Sequence, residues 1–466
     1  MPGLFHGLEI GKQALLTHQL SMTTIGHNLA NVNTPGYSRQ RVTVTSAMPI
    51  EMAKFNIGSG VTAKTITHVR DLFLTNQYRR ESKSLGEWTY KEKSLSQIES
   101  FFAEPSDNSL GSALNNFWES WSSLAAGDAD SSTPRNQIVA SARTLINSFR
   151  ILDRQVTELI SSTDNDIVNR VEQLGQFAKQ IANLNRLIAS EELGGQKAND
   201  LRDQRDYLVD ELSKLVDVAT REEKNGTISV FISGLAIVEN ADTYELEIRK
   251  LSKDNIVISE IVWEGTSTAV KLKGGELKGL IDVRDTIAPR YRNRLDDLAQ
   301  TLVTELNAIH RAGTDVYGDT GYNFFNPLFT TAGTIRIDNS ITLDSGRIAA
   351  SLSGEIGDNA NALAIYDIRN GLVGALGNAS ITEYYNSTVG MVGVETHEAK
   401  TFKSNFEVLM QQITNSRESV QGVSLDEEMA NLVKMQHAYN AAARIITTMD
   451  EALGTVIQGM GVVGRS

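Results

Sequence analysis

Cysteine is absent from the 466-residue chain, which excludes disulfides and thiolate metal sites. No two of the seven histidines stand at the spacing of metal ligands on a helix, so we expect no metal and no other cofactor. No apolar run approaches the roughly 18 residues that a membrane-spanning helix needs. The N-terminus lacks a basic segment followed by an apolar one, so the sequence predicts no cleaved secretory signal.

Positive charge is also scarce. The chain has 44 lysine and arginine residues against 57 aspartate and glutamate residues, and its net charge is −13. Nucleic acids and anionic membranes are bound by clusters of basic side chains, so this balance disfavours both as partners. An acidic surface instead helps to keep a chain soluble.

Apolar residues recur at steps of three and four near both ends of the chain, which is the a/d stripe of a helix that packs along another helix. The candidate interface residues of the N-terminal segment are Leu8, Leu15, Met22, Ile25 and Leu29. Those of the C-terminal segment are Leu425, Met429, Leu432, Tyr439, Ile446 and Leu453. Neither segment can bury its stripe alone. We therefore predict that the two ends pair as a coiled coil and form the assembly interface of a larger structure.

Local signals mark where these terminal helices begin and end. Ser424 is followed three positions later by Glu427, the spacing of a capping box, so the last helix should begin there. Pro35 disfavours helix at the residue before it, and Pro35-Gly36 suits the two central positions of a type II turn. The first helix should therefore end before this turn, and an extended segment over 41–45 and a polar loop should follow.

The middle of the chain changes its periodicity twice. Helical periodicity predicts helices at 72–102, 109–126, 133 to about 190 (as one helix or as two) and 200–217. Alternating residues then predict short antiparallel strands at 228–232, 244–248, 256–258, 261–263 and 270–272. Helical periodicity returns over 277–309, 359–372 and 380–420. Pro289 should kink the first of these helices.

These segments predict an α+β fold that is mainly α, with terminal coiled-coil helices, a long helical bundle and a small antiparallel β insert. The predicted domains are nested. Residues 1–45 with 415–466 form a terminal assembly domain. Residues 46–220 with 275–414 form a rod-like helical domain, which includes a loop and short-strand region at about 313–358. Residues 221–274 form a β-rich outer insert.

No motif in the chain points to catalysis. The letters G-x-G-x-x-G at 459–464 follow a helix rather than a strand, so they do not predict a dinucleotide site. The sequence has no His-Glu-x-x-His, P-loop or Gly-x-Ser-x-Gly motif. Asp164 and Asp166 begin like a calcium loop but lack its later ligands, which favours a solvated helix face or a helix break. We therefore predict no catalytic, cofactor-binding or metal-binding residues.

Both ends of the chain resemble the terminal signatures of one family, the bacterial flagellar axial proteins, which comprises rod, hook and hook-associated proteins. The N-terminal stretch is SMTTIGHNLANVNTPGYSR at 21–39, and the C-terminal stretches are GVSLDEEMANL at 422–432 and QHAYNAAARII at 436–446. Within the family, YSRQ at 37–40, LKGGELKGLIDVRD at 272–285 and GDNANAL at 357–363 resemble the members that join hook to filament.

The resemblance implies a structural part of the flagellum rather than an enzyme. Such a protein is exported unfolded through the flagellar type III pathway, without a cleaved signal, and lies outside the cell. The implied partners are further copies of the chain in a helical layer, the hook protein, the distal junction protein, and an export chaperone on the C-terminal helix. The alternative is another flagellar axial protein, either the distal junction protein or a hook protein. A cell-wall hydrolase is the alternative from a different functional class.

Overall fold

The computed structural model describes residues 3–461 except 53, 54, 103, 105, 108, 128, 129, 254, 255 and 356. Residues 462–464 of the G-x-G-x-x-G stretch therefore lie outside the described residues. Most of the described residues are helical, and the rest include small antiparallel sheets. The predicted α+β fold, mainly α, is confirmed.

The α-helices of the described residues lie at both ends of the chain and through its middle. In chain order they are α1 (Gly3–Ala30), α2 (Leu72–Phe102), α3 (Leu110–Ala126), α4 (Ser132–Glu191), α5 (Asn199–Leu215), α6 (Glu276–Asp282), α7 (Ala288–Ala312), α8 (Asn339–Leu343), α9 (Ala360–Asp367), α10 (Ile381–Gln421) and α11 (Leu425–Gly461). α4 runs for 60 residues without a break, so the third predicted helix does not restart.

The strands fall into two regions, one between α1 and α2 and one between α5 and α6. In chain order they are β1 (Gln40–Ser46), β2 (Ile50–Met52), β3 (Phe55–Ile57), β4 (Val61–His68), β5 (Val218–Glu222), β6 (Ile228–Ile232), β7 (Leu235–Glu239), β8 (Asp242–Thr243), β9 (Leu246–Lys253) and β10 (Ile256–Trp263). All pairs are antiparallel: β1 with β4, β2 with β3, β9 with β10, and β5 to β8 in sequential order.

Two hydrophobic cores lie along α4. The first packs the end of α2, α3, the first half of α4, α7, α9 and α10 around aromatic residues that include Phe117, Trp118 and Trp121. The second packs the other half of α4 with α5, α6 and strands of the second β region. The apolar spacing of α4 continues through both halves, so one helix supports both cores. The predicted domain boundaries stay a prediction.

A buried polar cluster separates the two cores on α4. Asp164 Oδ1 accepts hydrogen bonds from Ser259 N at 2.6 Å and from Arg284 Nη1 at 2.8 Å. Burial alone would raise the pKa of Asp164, but the hydrogen bonds from Ser259 and Arg284 outweigh it and lower the pKa. Asp166 is exposed. The solvated face expected for this pair is therefore right for Asp166 and wrong for Asp164, whose partners lie 95 and 120 residues away.

A π-helical turn, Val283–Ile287, joins α6 to α7 just before Pro289, where the sequence predicts a kink. Proline has no N–H to donate to the carbonyl four residues earlier, so regular helical bonding cannot continue at this point. Ala288 N donates instead to Val283 O, the wider bonding pattern of a π-helix. Arg284, the partner of Asp164, belongs to this turn.

Several strand predictions need correction. Residues 256–258 and 261–263, expected as two strands, belong to the single strand β10, and β5 and β7 were not predicted. Residues 61–68, expected to lie in a polar loop, form β4, because they pair along β1 from Gln40 opposite His68 onwards. Residues 270–272, expected to be a strand, are not one. Beside β10 the chain forms an isolated bridge from Ala269, accepts at Thr268 O from Trp263 N and donates from Val270 N to Ile261 O, and it then turns toward α6.

Candidate assembly interface

The two terminal helices, α1 and α11, pack against each other in antiparallel directions. Gly7 of α1 lies against Met449 and Gly11 against Ile446, whereas Asn28, near the end of α1, bonds to Glu428, near the start of α11. A Cβ atom on Gly11 would lie 2.8 Å from Ile446 Cγ1, so glycine allows the two helices to approach closely. The ends of the chain therefore pair within one molecule.

The predicted interface residues divide into two groups on this pair. Ile25 is buried, and eight others are half-buried: Leu8, Leu15, Met22, Leu29, Leu432, Tyr439, Ile446 and Leu453. Leu425 and Met429 are instead 53% and 50% exposed. The face of α11 toward α1 also uses Glu428 and Ala442, which the predicted stripe leaves out. The assembly role of the whole set stays a prediction.

Met429 lies outside the contact with α1 for a geometric reason. Leu432, Tyr439, Ile446 and Leu453 recur every seven residues, so they belong to any heptad assignment of this helix. The second stripe position can lie three residues before or after each of them. The earlier choice comprises Met429, Gln436, Ala443 and Asp450, and the later one comprises Met435, Ala442, Met449 and Val456. The sequence alone favoured the earlier choice, which contains Met429. The fold uses the later one, which contains Ala442.

Ser424 caps α11, but the capping box is only half formed. Ser424 Oγ accepts a hydrogen bond from Glu427 N at 3.4 Å, as a capping residue should. The side chain of Glu427 does not complete the reciprocal bond of the motif. It accepts instead from Arg39 Nη1 at 2.7 Å, so the acid at this position ties the start of α11 to the segment after α1.

Residues 31–39, which we call the signature loop, lead from α1 toward β1. The loop contains the predicted turn, in which Tyr37 N donates to Thr34 O at 3.2 Å and Gly36 has φ of +78°. Those values fit the third position of a type II turn, where glycine is favoured. A Cβ atom on Gly36 would lie 2.7 Å from Tyr207 Cβ, so the loop also packs tightly on α5.

α5 carries a row of four aspartates that the sequence reasoning did not single out. They are Asp200, Asp203, Asp206 and Asp210. The spacing of three, three and four residues was a usable signal, because it places all four carboxylates on one face of a helix. Their partners could not be found in this way, since the partner side chains come from distant parts of the chain.

A cleft of about 690 Å³ opens beside the signature loop, between α5 and the junction of α10 with α11. Its walls include Tyr78, Tyr207, Arg417 and Glu418. Within the described part of the chain, no group of three histidine or acidic side chains is placed to hold a metal ion. No helix of the same residues is long and apolar enough to cross a bilayer.

Known proteins resemble this chain over its full length. Residues 95–325 match the family described as "Flagellar hook-associated protein FlgK helical domain", and residues 416–459 match "Flagellar basal body rod FlgEFG protein C-terminal". The flagellar hook-associated protein 1 of Bacillus subtilis (strain 168) is 33% identical, with 100% of both chains covered. The chain belongs to the flagellar hook-associated protein 1 family. Its relative of that name in Escherichia coli (strain K12) is 24% identical over 94% of this chain and 97% of the relative.

A solved structure shows the same fold. It is the flagellar hook junction protein FlgK from Burkholderia pseudomallei, which is 16% identical and superposes with a TM-score of 0.65. The match covers 74% of this chain and 100% of that chain. Membership of the hook-associated protein 1 family makes this chain a structural component of the bacterial flagellum, as predicted. The same findings favour this function over a distal junction protein, a hook protein or a cell-wall hydrolase.

Proposed function

We propose that copies of this chain form a helical layer that joins the flagellar hook to the filament, and that they polymerise through α1 and α11. One observation carries the proposal. Pairing within the molecule leaves an apolar stripe on α11 uncovered, formed by Leu425, Met429 and Val433 at 53%, 50% and 48% exposure. Steps of four residues place these side chains in one row, beside the face that contacts α1. A second copy of the chain would bury them.

Burial of this stripe favours association between copies. Burying a leucine or methionine side chain contributes roughly 1.5–3 kcal/mol, so the stripe stabilises the contact with a second copy. We predict that the terminal helices are mobile in the free monomer and become ordered on assembly. Solution NMR of the monomer tests this prediction, because rigid and protected amides over 5–30 and 425–455 would contradict it.

The sharpest test of the interface is a charge placed on the exposed stripe. Met429→Glu should leave the monomer folded, because Met429 is half exposed. It should prevent assembly, because a carboxylate cannot be buried without a partner. Cells that carry the variant should show hooks without filaments and should release filament protein. Filaments of normal number and length would contradict the proposal.

Ala441→Glu provides the matched control. Ala441 is exposed on another side of α11, so the same charge is added to the same helix without touching the stripe. Cells that carry this variant should retain their filaments.

A second and more disruptive variant, Leu432→Pro, should break α11 and abolish incorporation while residues 70–410 keep their fold. Normal motility with Leu432→Pro would remove any assembly role for the terminal helices.

We further propose the hook protein, the distal junction protein and an export chaperone as partners, the last bound to α11. The family name and the flagellar rod match at 416–459 support the two flagellar partners, and the chaperone is implied by the resemblance of the terminal segments to flagellar axial proteins. Removing 425–461 should abolish chaperone capture by the purified chain, and retained capture would place the chaperone elsewhere.

We also propose an extracellular location reached without a cleaved signal. Mass spectrometry of the protein sheared from cells should find its N-terminal residues intact.

We also propose that the chain has a structural role and catalyses no reaction. The family is a structural one, which supports this assignment. Cell-wall hydrolysis by the purified chain would contradict it. Electron microscopy of a deletion strain separates the remaining alternatives, because hooks without filaments fit a junction protein, whereas the absence of hooks fits a hook protein.

A further inference from the structure

Strands β1 and β4 form a hairpin that leaves the helical body beside α1. Its base is bonded to α5, where Asn199 Nδ2 donates to Ile66 O at 3.0 Å. Farther out, both strands contact α1, and Gly60 lies against Ile10. Within the described part of the chain, this sheet has only these two strands. A two-stranded sheet is marginally stable by itself, so the hairpin has reason to acquire a further strand.

The hydrogen bonds across the hairpin show which backbone groups point away from it. Ala47 N donates to Gly60 O at 2.9 Å, so the backbone groups of Ala47 point into the hairpin. In an antiparallel pair, the N–H and C=O groups of successive residues point alternately inward and outward. The backbone groups of Val44, three residues before Ala47, therefore point outward from β1. Those of its partner Ala63 point outward from β4.

Each edge of the hairpin is covered at its base and open beyond it. Asn28 Nδ2 donates to Gln40 O at 2.9 Å, and Asn28 Oδ1 accepts from Gln40 N at 2.9 Å, which covers the β1 edge. Asn199 covers the β4 edge at Ile66 O. Farther out, the residues that the structure describes provide no hydrogen-bond partner for the outward groups of Val44. The open part of each edge can therefore accept a strand.

The open part also lacks the features that keep sheet edges from pairing. Proteins usually protect an exposed edge with charged side chains, with proline or with a covering segment. Residues 42–46 and 61–63 read VTVTS and VTA, which contain no charge and no proline and are rich in β-branched residues. The sheet of β9 and β10 is different, because β9 carries four charged side chains and the outer edge of β10 bonds to the segment at 268–270.

A second copy of the chain can supply the missing strand in the required direction. Copies in a helical layer point the same way along its axis and are not related by a twofold axis, so the β4 edge of one copy faces the β1 edge of the next. β1 and β4 run in opposite directions, so this contact is antiparallel. The sizes also agree. Two strands span about 10 Å, and helices packed side by side lie about 8–10 Å apart, so hairpins carried by adjacent α1 helices meet edge to edge.

We propose that in the assembled layer the β1 edge of each hairpin pairs with the β4 edge of the neighbouring copy, so that the hairpins form one continuous antiparallel sheet around the layer. The inference rests on the proposed polymerisation, and it adds a hydrogen-bonded contact between copies to the apolar contact on α11. It requires α1 and the hairpin to be ordered in the layer and requires nothing of their direction in the free monomer.

Crosslinking detects this contact directly. Because the chain lacks cysteine, Val44→Cys and Ala63→Cys variants with tags of different size can be produced together in cells that lack the parent chain. Opposite residues of paired strands lie about 5 Å apart and diagonal ones about 7–8 Å, so a bis-maleimide that spans about 8 Å reaches between them. Sheared hook–filament junctions should yield the mixed dimer. With Val257→Cys, on β10, in place of Val44→Cys, the mixed dimer should be absent. No mixed dimer from junctions that contain Val44→Cys and Ala63→Cys overturns the proposal.

Val44→Pro tests whether assembly needs the contact. Val44 is 51% exposed and its N–H points outward, so proline removes a donor from the open edge and leaves the bonds across the hairpin intact. The circular dichroism spectrum and the unfolding midpoint should stay near those of the parent. Cells that carry the variant should show hooks without filaments, and filaments of normal number would overturn the proposal. If Val44→Pro fails to fold, Val44→Lys, which places a charge on the edge, replaces it with the same expected result.

Val257→Pro is the matched control. Ser259 N points outward from the sheet of β9 and β10, since it donates to Asp164 Oδ1 at 2.6 Å. The N–H of Val257, two residues earlier on the same strand, therefore also points outward, and Val257 is 61% exposed. Proline at this position removes an equivalent donor from an edge that has no role in the proposed contact. Cells with Val257→Pro should keep their filaments.

The results separate this contact from the contact on α11. The crosslinks are measured in chains whose α11 is unchanged, so they do not depend on the Met429→Glu test. If Met429→Glu cells keep their filaments and the mixed dimer forms, the proposed interface on α11 fails and the continuous sheet stands. If Met429→Glu prevents assembly and no mixed dimer forms, the interface on α11 stands and the continuous sheet fails.

Discussion

Asn28 and Glu428 are 400 residues apart in the chain, yet Asn28 Nδ2 donates to Glu428 Oε2 at 3.0 Å, and both side chains are buried. The same amide group donates to Gln40 O at 2.9 Å, while Asn28 Oδ1 accepts from Gln40 N at 2.9 Å and from the Tyr37 hydroxyl at 2.7 Å. Every polar group of this amide has a partner. A shift of α1 along α11 would break the bond and leave a buried carboxylate without it, so the pair specifies the register of the two helices.

Asn28→Asp should destabilise the terminal pair strongly. The new carboxylate would face that of Glu428, and the two hydrogen bonds that Nδ2 donates would be lost. We expect the free energy of dissociating and unfolding the assembled layer to fall by about 2–4 kcal/mol per copy, as measured by denaturant titration of the assembled protein at neutral pH. The double variant Asn28→Asp/Glu428→Gln should recover part of this loss, because glutamine can donate to the new acid. A double variant as unstable as Asn28→Asp would show that the contact does not specify the register.

Gly11→Ala should separate α1 from α11. Its methyl group has no space beside Ile446, so the helices must move apart or the side chain must leave its position. We expect a net loss of about 1–3 kcal/mol per copy in the unfolding free energy of the assembled layer, measured by the same denaturant titration. Gly26→Ala, in the same helix but with no atom within 4 Å of the added methyl group, should instead be stabilising by up to about 1 kcal/mol. Equal effects at the two positions would contradict close packing at Gly11.

Asp164→Ala should weaken the connection between the two cores. It removes a partner of the buried Arg284, although Asp285 continues to bind that guanidinium through Nε at 2.7 Å. The expected loss is therefore near the lower end of the range for a broken buried pair, about 3 kcal/mol by thermal or chemical unfolding. Asp166→Ala, two positions along on the exposed face, should change stability by less than about 0.5 kcal/mol.

His310 should make the chain sensitive to acid. Ala349 N donates to its Nε2 at 3.0 Å, so the ring proton is on Nδ1, which lies 2.8 Å from Tyr322 O. Burial lowers its pKa from 6.5 to about 4. Between these pH values the unfolded chain binds the proton and the folded chain does not, so the stability present above pH 6.5 is lost as the pH falls toward 4. The full loss is about 3 kcal/mol for one such group.

The contribution of His310 to this pH dependence can be isolated by measuring stability against pH in two proteins. Unfolding free energies of the parent and of His310→Asn, measured from pH 7.5 to pH 4, should converge as the pH falls, because the variant lacks the titrating group. His397→Asn, at an exposed position on α10, should run parallel to the parent. If the curve for His310→Asn also runs parallel to that of the parent, the pKa of the His310 ring does not change on folding.

The helices could be predicted because their signals are local. The predicted 72–102 coincides with α2, and the predicted 109–126 differs from α3 by one residue, since apolar spacing and the cap at Ser109 identify both ends. Ser380 and Glu383 form a complete capping box at the start of α10, and the serine-to-glutamate spacing was visible in the sequence. At Ser424 the same spacing predicted a cap but could not show that Arg39 takes the glutamate side chain.

Contacts between distant segments could not be predicted. β4 was missed because its half-buried residues form a strand only beside β1, whose position depends on the preceding turn. Asp164 was misread because nothing near it in sequence indicates Ser259 or Arg284. The α5 row was missed for the same reason, since a row of acids on a helix is ordinarily a solvated face. The assignment to a flagellar family depended instead on the signatures at both ends of the chain.

The antiparallel pairing of α1 with α11 also determines when this part of the fold can form. A polypeptide is synthesised from its amino end, so α1 emerges from the ribosome first and can contact α11 only when the final segment has been translated. Until α11 has been made, the face of α1 that contacts it is uncovered, so the terminal pair is the last long-range contact of the molecule that can form.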